Sequence, residues 1–319
     1  MQQAAQSFLS TLSTGQKDSA NLPFDSEWRF DWNYTPRDRK GLPFKKMTSI
    51  QRTAAIQLIQ TGLSQEGMAK AEAIIALEHV LRQVEKRPEN DTHRDPENYA
   101  ILICGAPHAK NPWSWRVEGH HLSLHYTLTD GKVQFMPSFM GSNPAIVLPG
   151  YVQEGKQVLK SESDLAFELL RSFDDNQRKQ VILSEKAPSD MLTANKRKAI
   201  LEKREGLPLG EMTKIQQNMF KTLLQTYFDR YPVTLKKQAF KRIEVANLKE
   251  ITFAWMGDSE PLRGEGRGHY YRIHGPTLLI EFDNTQNQGN HVHCVVRDLT
   301  DDWGEDLLKM HYQSAHDKK

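Results

Sequence analysis

Residues 268–298 read GHYYRIHGPTLLIEFDNTQNQGNHVHCVVRD. Apolar side chains recur at every second position: Tyr271 and Ile273, then Leu278, Ile280 and Phe282, then Val292, Cys294 and Val296. That period places them on one face of successive strands. The intervening positions carry Arg272, His274, Glu281, Asp283, His291, His293 and Arg297. Gly275-Pro276 and the run Asn284 to Asn290 have the chemistry of turns. The stretch therefore predicts a sheet with one apolar face and one polar, histidine-rich face.

Working outward, the same alternation appears at Trp28–Tyr34, which predicts a half-buried strand ended by Pro36 and Gly41-Leu42-Pro43. Met47–Thr61 reads as a helix with Ile50, Ala54 and Leu58 on one stripe. Thr48 and Gln51 form a capping box there. A second helix spans 65–86, closed by Pro88. Strands follow at YAILICG, WSWRVEG and HHLSLHYTL, and Asp130-Gly131 predicts a hairpin turn into KVQFMP. Residues 162–187 read as helical, and MLTANKRKAILEKREG as a polar surface segment. Further helices are expected at Thr213–Arg230, with Ile215, Met219, Leu223 and Tyr227 aligned, and at 234–246. The strand ITFAWMG then leads through the glycine-rich loop DSEPLRGEGRG, and a short helix covers Asp301–Ala315.

The two halves resemble each other. Met47-Thr48-Ser49-Ile50-Gln51 matches Met212-Thr213-Lys214-Ile215-Gln216, and Trp115-Arg116-Val117-Glu118-Gly119 matches Tyr271-Arg272-Ile273-His274-Gly275. The order helix, helix, then four strands occurs twice. This predicts an internal duplication in an α+β fold of mostly antiparallel sheet packed with helices. The organisation expected is an N-terminal helix and aromatic strand over 1–46, a first repeat over 47–160, a helical connection over 161–211 and a second repeat over 212–319.

Composition bounds the function. The chain has 319 residues, 38% hydrophobic and 26% charged, a globular balance. A formal charge of +2 argues against a nucleic-acid protein built on a basic surface and leaves a local basic patch open. No apolar run approaches the roughly 20 residues of a membrane span. The start, MQQAAQSFLSTLS, lacks the basic and long apolar regions of a signal peptide. Cys104 and Cys294 sit in apolar strand patterns and read as two buried, unpaired thiols. The tryptophans Trp28, Trp32, Trp113, Trp115 and Trp255 read as core more than as a ligand platform.

The long motifs WRVEGHHLSL, GHYYRIHGP, and LIEFDNTQN with NHVH resemble the domain-of-unknown-function 3500 family of mostly bacterial proteins, from about Trp28 to Tyr312. The resemblance implies no activity. Members often carry an export signal, which implies a periplasmic or exported location. A mature start after signal removal and a cytoplasmic chain both stay open.

His291-x-His293 is the sharpest chemical signal. Residues i and i+2 of a strand share a face about 7 Å apart, so both imidazoles can meet one ion. Further ligands are sought among Glu118, His120, His121, His269 and Glu281, with His120 and His269 preferred. The competing reading has these histidines bonded to backbone and carboxylates without an ion. Glu118 and Asp283 are the candidate catalytic carboxylates. Arg116, Arg272, Asn284 and Gln286 are candidate substrate-binding groups, although paired arginines at equivalent positions also fit a structural role. The 258–268 loop is expected to roof the site. Two functions follow: a metal-dependent enzyme, hydrolytic or oxidative, using zinc, iron or copper on a small polar substrate, or a non-catalytic protein binding a small molecule in the same cleft.

Overall fold

The computed structural model describes residues 1–309. The chain opens with α1 (Gln2–Ser10), α2 (Thr14–Ala20) and β1 (Asn21–Leu22). Then come β2 (Leu42–Pro43), α3 (Ser49–Gly62), α4 (Gln65–Val84) and β3 (Ala100–Cys104). Three longer or shorter hairpin partners follow, β4 (Trp113–Gly119), β5 (Leu122–Thr129) and β6 (Lys132–Gln134), and then β7 (Ser138–Met140). The middle holds α5 (Lys160–Arg171), α6 (Asp175–Val181), β8 (Ile182–Ser184) and β9 (Leu207–Pro208). The last part comprises α7 (Lys214–Phe228), α8 (Val233–Val245), β10 (Thr252–Gly257), β11 (His269–His274), β12 (Leu278–Asn284) and β13 (His293–Asp298).

These strands form one mixed, mostly antiparallel sheet in the order β1-β3-β4-β5-β7-β13-β12-β11-β10-β8, with β2 on β3, β6 on β5 and β9 on β10. The fold is α+β. The order is the same read inward from either edge, and β7 and β13 meet antiparallel at its middle. The two edge pairings, β1 with β3 and β8 with β10, are the parallel ones.

Alternation along the strands divides the sheet into two unlike faces. Val117, Leu124, Tyr126, Ile280, Phe282, Cys294 and Val296 join the helices in the main apolar core. The other face carries Arg116, Glu118, Ser123, His125, Glu281, Asp283, His293 and Arg297, all buried. Among the described residues these side chains are not covered by the helices of the main core. Instead the segment after α2 and the segment after β8 lie across this face and pack Trp32, Tyr34 and Met191 with Phe139, Val295 and Trp303.

That covering explains where the sequence reading goes wrong. Trp28–Tyr34 is not a strand: Glu27–Arg29 is a 3-10 turn and the remainder is unpaired. The expected alternation holds only at Trp32 and Tyr34, which are buried, whereas Trp28 is exposed and Arg29 is buried; apart from the Tyr34 carbonyl, which accepts from the His121 amide, the outward backbone bonds go to side chains instead of a neighbouring strand. Arg116 donates to the carbonyls of Trp28 and Asp31, Asn195 donates to that of Trp32, and Glu118 accepts from the Asn33 amide. Likewise the 191–206 segment is not wholly surface. Leu192 and Thr193 donate their amides to the buried Glu281 carboxylate, and Arg297 donates to the carbonyls of Lys196 and Arg197.

Local expectations fare better. Thr48 with Gln51 and Thr213 with Gln216 both form reciprocal capping boxes. Asp130 and Gly131 adopt the positive φ of a two-residue hairpin turn. Both cysteines are buried and free. Ile50 and Ile215 are exposed rather than inward, because each lies in the first turn beyond its cap and projects past the core. The 162–187 region divides into α5, α6 and β8. At the C-terminus residues 305–309 are helical, and the rest of the expected 301–315 helix lies outside the described residues. Among the described residues no helix is long and apolar enough to cross a membrane.

Candidate metal centre

Three strand ends meet beside the middle of the sheet. The first is the turn between β4 and β5. Gly119 pairs with Leu122, so His120 and His121 are the two loop residues of a tight hairpin, and His121 takes a left-handed φ of 58°. Its backbone is held from both sides: the His121 amide donates to the Tyr34 carbonyl (2.9 Å) and its carbonyl accepts from the Gly141 amide (2.8 Å). The second is the end of β7. A Cβ on Gly141 would lie 2.8 Å from the Val292 carbonyl oxygen and 3.1 Å from the His121 ring, so glycine there leaves room for the imidazole. The third is the entry to β13. There Val292 and Ser142 exchange backbone bonds and the His291 amide donates to Asn284 Oδ1 (2.9 Å).

The result is a cluster of His121, His291 and His293 in which one ligand atom from each lies within 4.8 Å of the others. His121 Nε2 and His291 Nε2 are 2.8 Å apart. His293 Nδ1 contacts Asp190 Oδ1 at 2.7 Å, and the other Asp190 oxygen accepts from Tyr34 Oη at 3.2 Å. Asp190, Asp283 and His293 form a second group of the same compactness. Two nitrogens each bound to zinc at about 2.0–2.1 Å can be at most about 4.2 Å apart, so the His121–His291 spacing lies within reach of one ion.

The electrostatics suit a cation. Burial and the neighbouring histidines hold the His121 pKa well below its ordinary value, and burial with His293 brings His291 down to about 3. Both rings are therefore neutral near pH 7, with lone pairs available for a metal. Burial and the adjacent Asp190 carboxylate push Asp283 up to about 8. Burial also pushes Asp190 up, but hydrogen bonds led by that from His293 outweigh it, and its pKa ends below the usual aspartate value. Bringing a cation to this group relieves the like-charge conflict between the two aspartates.

His120 stands one layer back. Its ring stacks on His121 with centroids 3.9 Å apart, and its nitrogens face Glu78 and Arg94. Burial raises Glu78 to about 8. His120 thus packs the His121 ring in place and is not in the three-histidine group. His269 is not in it either. It belongs to the helix-covered face, stacked on Trp255 (5.1 Å between centroids) and edge-on to Phe167 (4.7 Å).

Glu118 is fully buried and spent on structure, accepting from Arg39 Nε (3.0 Å) and Ser123 Oγ (2.9 Å). Arg116 lies 3.9 Å from that carboxylate and Arg272 pairs with Glu205 at 2.9 Å, both guanidinium groups being buried. Asp283, Asn284 and Gln286 do stand at the cluster: Gln286 Nε2 is 3.5 Å from Asp190 Oδ2. The residues that the sequence reading did not select are His121 and Asp190. Strand alternation sends His120 and His121 opposite ways, and the signal that decides between them is the two-residue turn that follows Gly119. Asp190 sits in a polar stretch with no period and offers no signal.

Fold and site together define an α+β protein with a partly buried histidine–carboxylate cluster at the centre of one large sheet. The chain belongs to the family described as "Protein of unknown function (DUF3500)", which matches residues 1–305. No curated protein and no solved structure matches it.

Proposed function

We propose that His121, His291 and His293 bind one divalent transition metal and that the protein is a metal-dependent enzyme, hydrolytic or oxidative, acting on a small polar substrate. The observation that carries this reading is the convergence of three imidazoles from separate strand ends, two of them neutral and 2.8 Å apart at Nε2. Three protein ligands with a position left for water or substrate is the arrangement of catalytic rather than structural sites. The ion would supply a Lewis acid and an activated water. Asp190 orients His293 through the ring nitrogen it contacts, the usual carboxylate support of a metal-bound histidine. Asp283 is the acid–base group, and Gln286 and Asn287, whose Nδ2 lies 3.5 Å from His291 Nδ1, face the substrate. Imidazole ligation suits zinc, iron and copper alike.

Elemental analysis of untagged protein tests this. About one equivalent of a transition metal per chain is expected, falling to background when His121 and His291 are both replaced by alanine. Wild-type protein that holds no metal after incubation with each of the three ions overturns the reading.

We also infer that the two halves descend from one duplicated unit. The inference is supported by matching details beyond the strand order. Gln51 Nε2 reaches back to the Thr11 carbonyl and Gln16, and Gln216 Nε2 reaches the Ser172 carbonyl and Gln177. Gly41 and Gly206, both at positive φ, each approach a strand carbonyl, of Ile101 and Phe253. Aligning the first halves of family members against their second halves should bring Thr48 onto Thr213 and Trp115 onto Tyr271. An alignment that separates these pairs removes the claim.

A further inference from the structure

The end of α4 and the segment after β7 enclose a cavity of about 370 Å³, within the roughly 300–1,000 Å³ usual for small-molecule sites. Val80, Leu81 and Val84 share one face of α4 and line it from one side. Leu148 and Tyr151 line it from the other, and the Val152 amide donates to Gln83 Oε1 (3.1 Å), which ties the two sides together. Val84 and Leu148 stay 42% and 44% exposed, so apolar surface of the cavity opens to solvent. The 258–268 loop does not roof this site: Pro261, Leu262 and Arg263 line a separate cavity beside His269.

The polar groups of the cavity differ in what they have left to offer. Glu85 is neutralised, accepting from Arg94 Nε (3.0 Å) and pairing with Arg87. Asn290 is spent on the Ile146 backbone, accepting from its amide (2.9 Å) and donating to its carbonyl (3.2 Å). Asn143 and Asn287 are not spent. Asn287, at a left-handed φ of 51° that asparagine tolerates, donates from Nδ2 to Asn143 Oδ1 (3.2 Å) and meets His291 Nδ1 with the same nitrogen. Asn143 Nδ2 and Asn287 Oδ1 then have no hydrogen-bond partner among the described residues. Asn143 is only 6% exposed, yet its Nδ2 keeps accessible surface and is not sealed into the protein. A donor so placed takes its partner from whatever fills the cavity. No lysine or arginine is among the lining residues, so a charged ligand would lose its hydration without gaining a counter-ion.

We propose that this cavity holds the substrate of the histidine centre, and that the substrate is an uncharged carboxamide carried on an apolar body. A carboxamide presents a carbonyl for Asn143 Nδ2 and an N–H for Asn287 Oδ1 on one planar unit. The apolar body packs against Val80, Leu81 and Leu148. Asn287 touches both Asn143 and His291, so a group bonded between the two asparagines lies beside the proposed ion. The role of substrate rests on the metal-centre reading, whereas binding itself does not.

Benzamide is the probe, titrated calorimetrically against the full chain after chelator treatment, with benzoate as the charged analogue of the same shape. Benzamide is expected to bind, and benzoate at least about tenfold more weakly, because it brings a charge and lacks the N–H. Asn287→Gly keeps the left-handed backbone and removes the side-chain oxygen, on an exposed turn where folding is not at stake, and should weaken benzamide about tenfold. Asn143→Asp keeps an acceptor for Asn287 and replaces the free donor, with a loss of about the same size. No heat with benzamide up to about 10 mM overturns the proposal, as does benzoate binding equally well or binding that neither substitution changes. Benzamide binding by a chain that takes up no metal supports the pocket and overturns only the catalytic reading, while metal uptake without benzamide binding overturns the pocket alone.

Discussion

Glu162→Gln is expected to destabilise the fold by about 3–5 kcal/mol, the usual result of removing one partner from a buried ion pair. Glu162 and Arg230 have no exposed side-chain surface, and Arg230 Nη2 donates to Glu162 Oε1 at 2.7 Å. Lys70 of α4 meets the same oxygen at 2.6 Å, and the Glu162 carbonyl accepts from Tyr271 Oη at 2.8 Å. The carboxylate thus ties α5 to α4 and to the turn after α7, while the backbone carbonyl of the same residue ties α5 to the sheet. Arg230 has little else: its Nε and Nη1 have no hydrogen-bond partner. Neutralising Glu162 strands a buried guanidinium, and that desolvated charge is the source of the loss. Urea denaturation measures it as a lower midpoint at unchanged slope. A loss below about 1 kcal/mol would show that the pair is not the anchor described.

The same pair sets a pH dependence. Burial pushes the Glu162 carboxyl up, but Arg230 and Lys70 outweigh it and hold its pKa below the ordinary 4.5. A carboxyl depressed on folding adds stability above its unfolded pKa and loses it as the pH falls through the folded value. Wild-type stability should therefore fall on acidification below 4.5 more steeply than that of Glu162→Gln. Parallel pH profiles for the two proteins would refute this.

Asp190→Asn is expected to cost 10- to 100-fold in affinity at the proposed metal centre, on the order seen for carboxylates that support a ligating histidine. Asp190 is not itself a ligand in the proposed centre. It holds His293 through the 2.7 Å contact at Nδ1, which fixes the tautomer and leaves Nε2 for the metal. Asparagine keeps the shape and loses the charge that makes the ring a better donor. Competition against a chromophoric chelator reads the change, and Tyr34→Phe, which removes only a 3.2 Å bond to Asp190, should lie between wild type and Asp190→Asn. Equal affinity in wild type and Asp190→Asn would mean that His293 is not a supported ligand.

How much of this could be read without coordinates depends on the range of the interaction. Caps and turns are local. Thr48-x-x-Gln51 and Asp130-Gly131 carry their own geometry, and both form as the residues demand. Strand alternation is nearly as local, so the division of β11 to β13 into an apolar and a titratable face was legible, including His293 on the polar side. The Trp28–Tyr34 segment shows the limit of that rule. Alternation senses which side is buried and is blind to what the backbone bonds with. Here Arg116, Glu118 and Asn195 take the place of a strand.

The sequence by itself determined the α+β class, the capped helices, the polar face of the sheet and the candidacy of His291 and His293, because each follows from residues a few positions apart. Tertiary structure alone decided the membership of the cluster. His121 enters because its hairpin meets β13 across Gly141, and Asp190 enters because a segment with no period of its own is pinned to Glu281. His269 leaves for a reason the alternation already held: it shares its parity with Tyr271 and Ile273 and lies with Trp255 and Phe167 on the apolar face. The two additions join residues about 100 to 170 positions apart in the chain. Contacts at that separation are set by how β7 and β13 meet at the centre of the sheet, a packing that local propensity does not encode.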